Sequence, residues 1–170
     1  MITVTGILGN IRSDKKLWNV YEKLKKENKV EKIVLSRIEA QRPRIRRESD
    51  FGTDIAISMK HGSTVKHGDV LLVELDRMII VEYEPEVAVG FRIRDELSNE
   101  EKIQTAIKLG HVIGNLHRSL CIKNNIVYMP IQSESEIESI KKMLLPLIDY
   151  IDIYHSKIIF EEEGMEVHER

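Results

Sequence analysis

A single cysteine, Cys121, stands among 170 residues. That excludes an intrachain disulfide and any thiolate-rich zinc site built within one chain, and it leaves six histidines and the carboxylates as metal ligands. Long apolar runs are missing as well. Stretches such as Met78 to Val81 are far too short for a bilayer, which takes about 20 apolar residues to cross. After Met1 no basic segment leads into an apolar stretch and a small-residue cleavage site, so a cytoplasmic location is expected. Charge of one sign is not in excess: the net charge is −2, and no general affinity for nucleic acid follows from it. There is no G-x-S-x-G, P-loop or dinucleotide fingerprint, and Gly6-Ile7-Leu8-Gly9 lacks the lysine and helix context that phosphate binding requires. Enzymatic function has no support in the motifs.

What is present fits an ordinary folded chain, with 32% charged and 42% hydrophobic residues, long enough for one domain or two small ones. The first seventy-odd residues read as β-rich with one interruption. Asp14 to Glu27 carries Leu17, Val20, Tyr21 and Leu24 at helical spacing among lysines, which predicts a short amphipathic helix. Lys32 to Leu35, Thr53 to Met59 and Val70 to Leu75 read as strands, with turns at His61-Gly62 and His67-Gly68-Asp69. The expectation is a small β-sandwich or barrel-like sheet over residues 1–84. Between these strands lie Arg37, Arg42, Arg44, Arg46 and Arg47, whose alternation from Arg42 onward predicts a strand face that is either simply solvated or a basic patch.

After Glu84-Pro85 the pattern changes to strands alternating with helices, and a second domain is expected over 85–160. Val87 to Ile93 reads as a strand, and Ser98-Asn99-Glu100-Glu101 has the reciprocal capping form. Ile103, Ala106, Ile107 and Ile113 then recur at helical spacing, with Gly114 placed to end the helix in a left-handed cap. Leu120 to Ile122 and Ile126 to Ile131 flank Lys123-Asn124-Asn125 as a hairpin, and Ser135 to Glu138 repeats the capping signature ahead of Ile140, Leu144, Leu147 and Ile148. Pro146 should kink or end that helix. A last strand, Asp152 to Phe160, precedes an acidic tail over 161–170. The order βαββαβ predicts an α+β chain whose second half is ferredoxin-like.

The chemistry then rests on histidine, whose imidazole suits nickel, copper and zinc. His111 lies on the predicted helix and His117 just past its end, a spacing that is not a standard chelate. Either could be a plain surface or core residue. His61 and His67 read as exposed turn residues, His155 belongs to the last strand, and His168 stands near the end of the tail.

Leu109-Gly110-His111-Val112-Ile113-Gly114-Asn115-Leu116-His117 resembles the Gly-Asn-Arg-His segment of the urease accessory protein UreE family, the nickel metallochaperones. Upstream, Arg46-Arg47-Glu48-Ser49-Asp50-Phe51-Gly52-Thr53-Asp54-Ile55-Ala56-Ile57, then Gly62 and His67-Gly68-Asp69-Val70-Leu71, looks like that family's first domain. Downstream, Phe160-Glu161-Glu162-Glu163-Gly164 resembles the Phe-Glu-Pro-Glu stretch before its metal-binding tail. The resemblance implies a partner-handling first domain, a ferredoxin-like second domain through which the chain forms a homodimer, and nickel bound at His117, with His168 and His111 as further candidate ligands and zinc or copper as competing ions. It also implies a urease accessory GTPase and apo-urease as partners. Leu116 stands where the family motif has arginine, and Tyr128-Met129-Pro130-Ile131 occupies the place of auxiliary histidines in many members. The long histidine-rich tail is absent, so delivery of one or two ions is expected rather than storage. Two rivals are a divalent-metal carrier for another nickel enzyme and a nucleic-acid module. The latter lacks aromatic stacking residues, Tyr128 standing alone among the central strands.

Overall fold

The computed structural model describes residues 1–161. The chain divides into two compact units, Met1–Glu84 and a second beginning at Pro85. The first contains β1 (Ile2–Val4), β2 (Gly9–Asn10), α1 (Lys15–Lys26), β3 (Val30–Leu35), α2 (Arg37–Ala40), β4 (Arg44–Glu48), β5 (Asp54–Ser58), β6 (Asp69–Glu74) and β7 (Arg77–Tyr83). Two sheets form, ordered β1-β5-β4 and β2-β6-β7-β3. The β1–β5 and β3–β7 pairs are parallel, the rest antiparallel. In β7, Met78 to Val81 are all buried, which alternating side chains allow only when both faces are covered. Met78 and Ile80 join Ile11, Tyr21, Leu24, Val30 and Val70 beneath α1, while Ile79 and Val81 point the other way. The two sheets are tied where Asp50 Oδ1 accepts the Lys32 N–H at 2.7 Å and the Asp50 N–H donates to Lys32 O. Beside this tie the buried Glu31 carboxylate accepts from Ser49 Oγ (2.7 Å) and Arg77 Nε (2.6 Å), and Arg77 also reaches Thr53 Oγ1.

On β4 the exposed Arg44 and Arg46 flank the buried Ile45 and share one strand face, as the alternation predicts; Arg46 is held by Asp54 and Arg47 by Glu39, while Arg37 lies on α2. One sequence expectation is corrected in this unit. His67 is half-buried rather than an exposed turn residue, because its Nδ1 accepts the Tyr83 N–H at 3.1 Å.

The second unit comprises β8 (Glu86–Ile93), α3 (Asn99–Asn115), β9 (Cys121–Lys123), β10 (Ile126–Pro130), α4 (Ser135–Met143), a 3-10 turn (Leu145–Leu147) and β11 (Ile151–Ile158). Its sheet runs β11-β8-β10-β9, antiparallel throughout, which is the ferredoxin-like βαββαβ arrangement expected from the sequence. Asn124 and Asn125 take φ of 52° and 61° in the tight β9–β10 turn, the conformation their type favours. The core joins Val89 and Phe91 of β8, Met129, Ile131 and Ile151 to Leu109 and Ile113 of α3 and Ile140, Leu144 and Leu147 around α4. After β11 the chain turns beneath the sheet. Phe160 is fully buried, and Ile159 O accepts from Lys123 Nζ of β9 at 2.5 Å, although β9 is the far edge from β11.

Here too the structure corrects the reading. Ser135 forms no reciprocal cap; α4 begins without a side-chain cap, and Glu136 instead reaches back to the Gln132 N–H. Along α3, Ile113 is buried with Thr105 and Leu109, whereas Ile103, Ala106 and Ile107 face solvent. Gly114 lies inside the helix; the left-handed residue that follows the helix end is His117, with φ 50°.

Candidate metal centre

Helix α3 is fastened at its start by the Ser98–Glu101 capping box and along its length by Thr105, Leu109 and Ile113. It stops because Leu116 and His117 turn back on it, their N–H groups donating to Ile113 O and Gly114 O at 3.1 Å each. A left-handed residue at this place is usually glycine or asparagine, since a Cβ crowds the following carbonyl. His117 occupies it nonetheless, with an exposed side chain. The next residue anchors the turn: Arg118 Nη1 donates to Pro130 O at 3.3 Å and pairs with Glu136. Desolvation pushes the Glu136 carboxyl upward, but the Gln132 N–H and the Arg118 guanidinium outweigh it and hold it below the ordinary value. His117 is thus an exposed imidazole on a backbone fixed from both sides.

His111 is also exposed, about one turn before the helix end at Asn115, with Nε2 3.3 Å from Asn115 Nδ2. It borders a shallow apolar cavity with Ile107, Lys108, Val112, Met143, Pro146 and Leu147. Six positions along a helix of 3.6 residues per turn place His111 and His117 on different sides of it, so one chain does not bring them together. His155 is exposed on β11 and His61 in a turn. His168 lies outside the described residues. Among the described residues no three His, Cys, Asp or Glu side chains converge as a metal site.

One feature of α3 escaped the sequence reading. Ile103, Ile107, Gly110, Gly114 and His117 are all exposed, and their spacing of four, three, four and three traces a single seam along the helix. Ile103 and Ile107 are 62% and 68% exposed, and a Cβ built on Gly110 or Gly114 would meet nothing within 4 Å. The 4-3 interval was the available signal. Hydrophobicity alone masks it, because the exposed Ile103 and Ile107 are as apolar as the buried Ile113.

Residues 4–84 match the family model described as UreE urease accessory protein, N-terminal domain. Curated proteins named urease accessory protein UreE align over more than the first unit. One from Natronomonas pharaonis is 31% identical over 134 residues, 79% of this chain and 61% of the relative. Others from Yersinia aldovae and Yersinia intermedia are 33% identical over 141 residues, covering 77% of this chain and 57% and 58% of the relatives. The chain spans about three fifths of the length of the curated relatives it matches. The first unit thus matches the UreE N-terminal domain, and over 77–79% of its length, a span that includes His117, the chain is similar to curated urease accessory proteins UreE.

Proposed function

We propose that this protein is a non-enzymatic nickel carrier of urease maturation, acting in the cytoplasm as a homodimer whose two His117 imidazoles share one ion. The observation that carries the reading is the placement of His117 at the end of the exposed α3 seam. A single imidazole binds a divalent ion weakly, and two copies meeting along the seam would bring their imidazoles together about a twofold axis. The bare backbone at Gly110 and Gly114 suits close helix approach, and Ile103 and Ile107 would supply the apolar contact. A site of this kind is open on its outer side, which suits a carrier that must release its cargo to a urease accessory GTPase and apo-urease.

Two further donors are proposed for that ion. His168 lies outside the described residues and would add an imidazole from the C-terminal end of the chain. His111 lies on another side of α3 and is the weaker ligand. Nickel is the proposed cargo, with zinc and copper as competitors for the same imidazoles. The nucleic-acid alternative loses support where Asp54 and Glu39 occupy Arg46 and Arg47.

The test is nickel calorimetry on the purified dimer, with the His117→Ala variant alongside. The reading expects about one tight ion per two chains, lost in the variant while the dimer persists. Unchanged tight binding in the variant would overturn it.

A further inference from the structure

Helix α1 carries a second surface, remote in sequence from the histidines. Its twelve residues hold five lysines, Lys15, Lys16, Lys23, Lys25 and Lys26, against one glutamate, Glu22, in a chain whose net charge is −2. Lysines in the last turn complement the helix dipole, but Lys15 and Lys16 stand at the positive end, where the dipole opposes them. Asp14 at the N-cap, accepting the N–H groups of Lys16 and Leu17, already supplies the anion that this end favours. Helix stability therefore does not account for Lys15 and Lys16.

In its midst lies the chain's one tryptophan. Trp18 is 40% exposed although Tyr21 and Leu24 of the same helix are buried, and its ring leans on Tyr21 with centroids 5.3 Å apart and planes tilted by 40°. Lys25 Nζ sits over the other ring of this pair, 5.3 Å from the Tyr21 centroid. Trp18 forms the ridge between two shallow grooves. One, of about 340 Å³, is lined with Ile11, Arg12, Asp14 and Lys15; the other, of about 410 Å³, with Tyr21, Glu22, Lys25 and Lys26. Each is at the small end for a ligand pocket and fits one bulky side chain.

We propose that this surface docks an acidic protein segment that carries apolar side chains, its carboxylates facing the lysines and its apolar residues entering the grooves beside Trp18. Charge complementarity selects the occupant. A lipid surface is disfavoured because the apolar stripe of α1 is already spent on its own core. Base stacking is disfavoured because Tyr21 covers part of the indole. The inference is independent of the nickel reading.

Because Trp18 is unique in the chain, its emission reports the surface directly. The probe is a synthetic peptide of about twelve residues, glutamates and aspartates with one phenylalanine and one leucine; a lysine-for-acid peptide of equal length, a single-stranded RNA oligomer and phosphatidylserine vesicles are the other arms. The acidic peptide should shift Trp18 emission saturably, and added salt should weaken it. The exposed double substitution Lys15→Glu with Lys16→Glu, at the helix end where the dipole favours an acid, should weaken it by about tenfold without lowering the melting temperature. No saturable shift, equal binding of the lysine peptide, or a response confined to RNA or vesicles would each overturn the proposal.

Discussion

The His117 N–H donates to the carbonyl oxygen of Gly114, 3.1 Å away, and this bond closes the end of α3 with a histidine in the left-handed conformation that glycine adopts most readily. The position carries a conflict between backbone and side chain. Replacing His117 with glycine should raise the melting temperature, since a left-handed L-residue costs about 1–2 kcal/mol, and should remove tight nickel binding. Thermal scans and nickel isotherms on one preparation check both. A glycine variant that is less stable, or that still binds nickel tightly, would contradict the account.

The seam predicts a separation of folding from association. A Cβ at position 114 meets nothing within 4 Å, and Gly114→Leu exchanges a poor helix former for a good one, a gain of about 1 kcal/mol. In sedimentation the variant should nonetheless run as a monomer, with nickel affinity reduced to that of a lone imidazole. A stable Gly114→Leu dimer would show that copies meet elsewhere.

Glu31 is the most deeply placed carboxylate of the first unit's ion pairs. Burial pushes its pKa up, but Arg77, Ser49 and Thr53 outweigh burial and leave it lowered. Because the folded value lies below the unfolded one, the pair contributes stability above the unfolded value near 4.5 and loses it as pH falls through the folded value. Glu31→Gln should cost about 2–3 kcal/mol at neutral pH and flatten acid unfolding below pH ~4.5. Denaturant titrations at neutral and acid pH decide this; equal losses at both would mean the charge is irrelevant.

How much of this was readable beforehand differs by element. The second unit was legible because its signals are local: Ser98 and Glu101 cap each other three residues apart, and the asparagine pair at 124–125 takes its turn by its own chemistry. The buried face of α3 was not, since Thr105 enters the core while the more hydrophobic Ile103 and Ile107 stay out. The Arg118–Glu136 pair joins residues from separate elements, and no periodicity announces it. His117 is a candidate ligand by resemblance alone, and its left-handed conformation has no signal in the sequence.

Cys121 is 1% exposed on β9, so it should resist thiol reagents in the native state. Substitution by serine places a hydroxyl in that buried site and should cost about 1–3 kcal/mol while sparing nickel binding. Labelling kinetics with and without denaturant check the first statement and calorimetry the second. Fast native labelling with loss of nickel affinity would make Cys121 a ligand.

Removal of Glu166 to Arg170 tests the tail donor. Protons compete with metal for each imidazole, with an unperturbed pKa of about 6.5. If His168 joins the His117 pair, truncation should weaken nickel binding modestly and flatten its fall between pH ~8 and ~6. Superimposable isotherms for the two lengths would leave His168 outside the site.

The crossing of the chain beneath the second sheet has a mechanical meaning. Unpaired beyond Ile158, β11 would peel from β8 one hydrogen bond at a time under tension on the C-terminal end, the weakest way to load a strand. With Phe160 buried and Ile159 tethered to Lys123, a pull on the chain past Glu161 is taken up first by a buried aromatic ring and by β9, and the β8–β11 ladder is shielded from unzipping at its end.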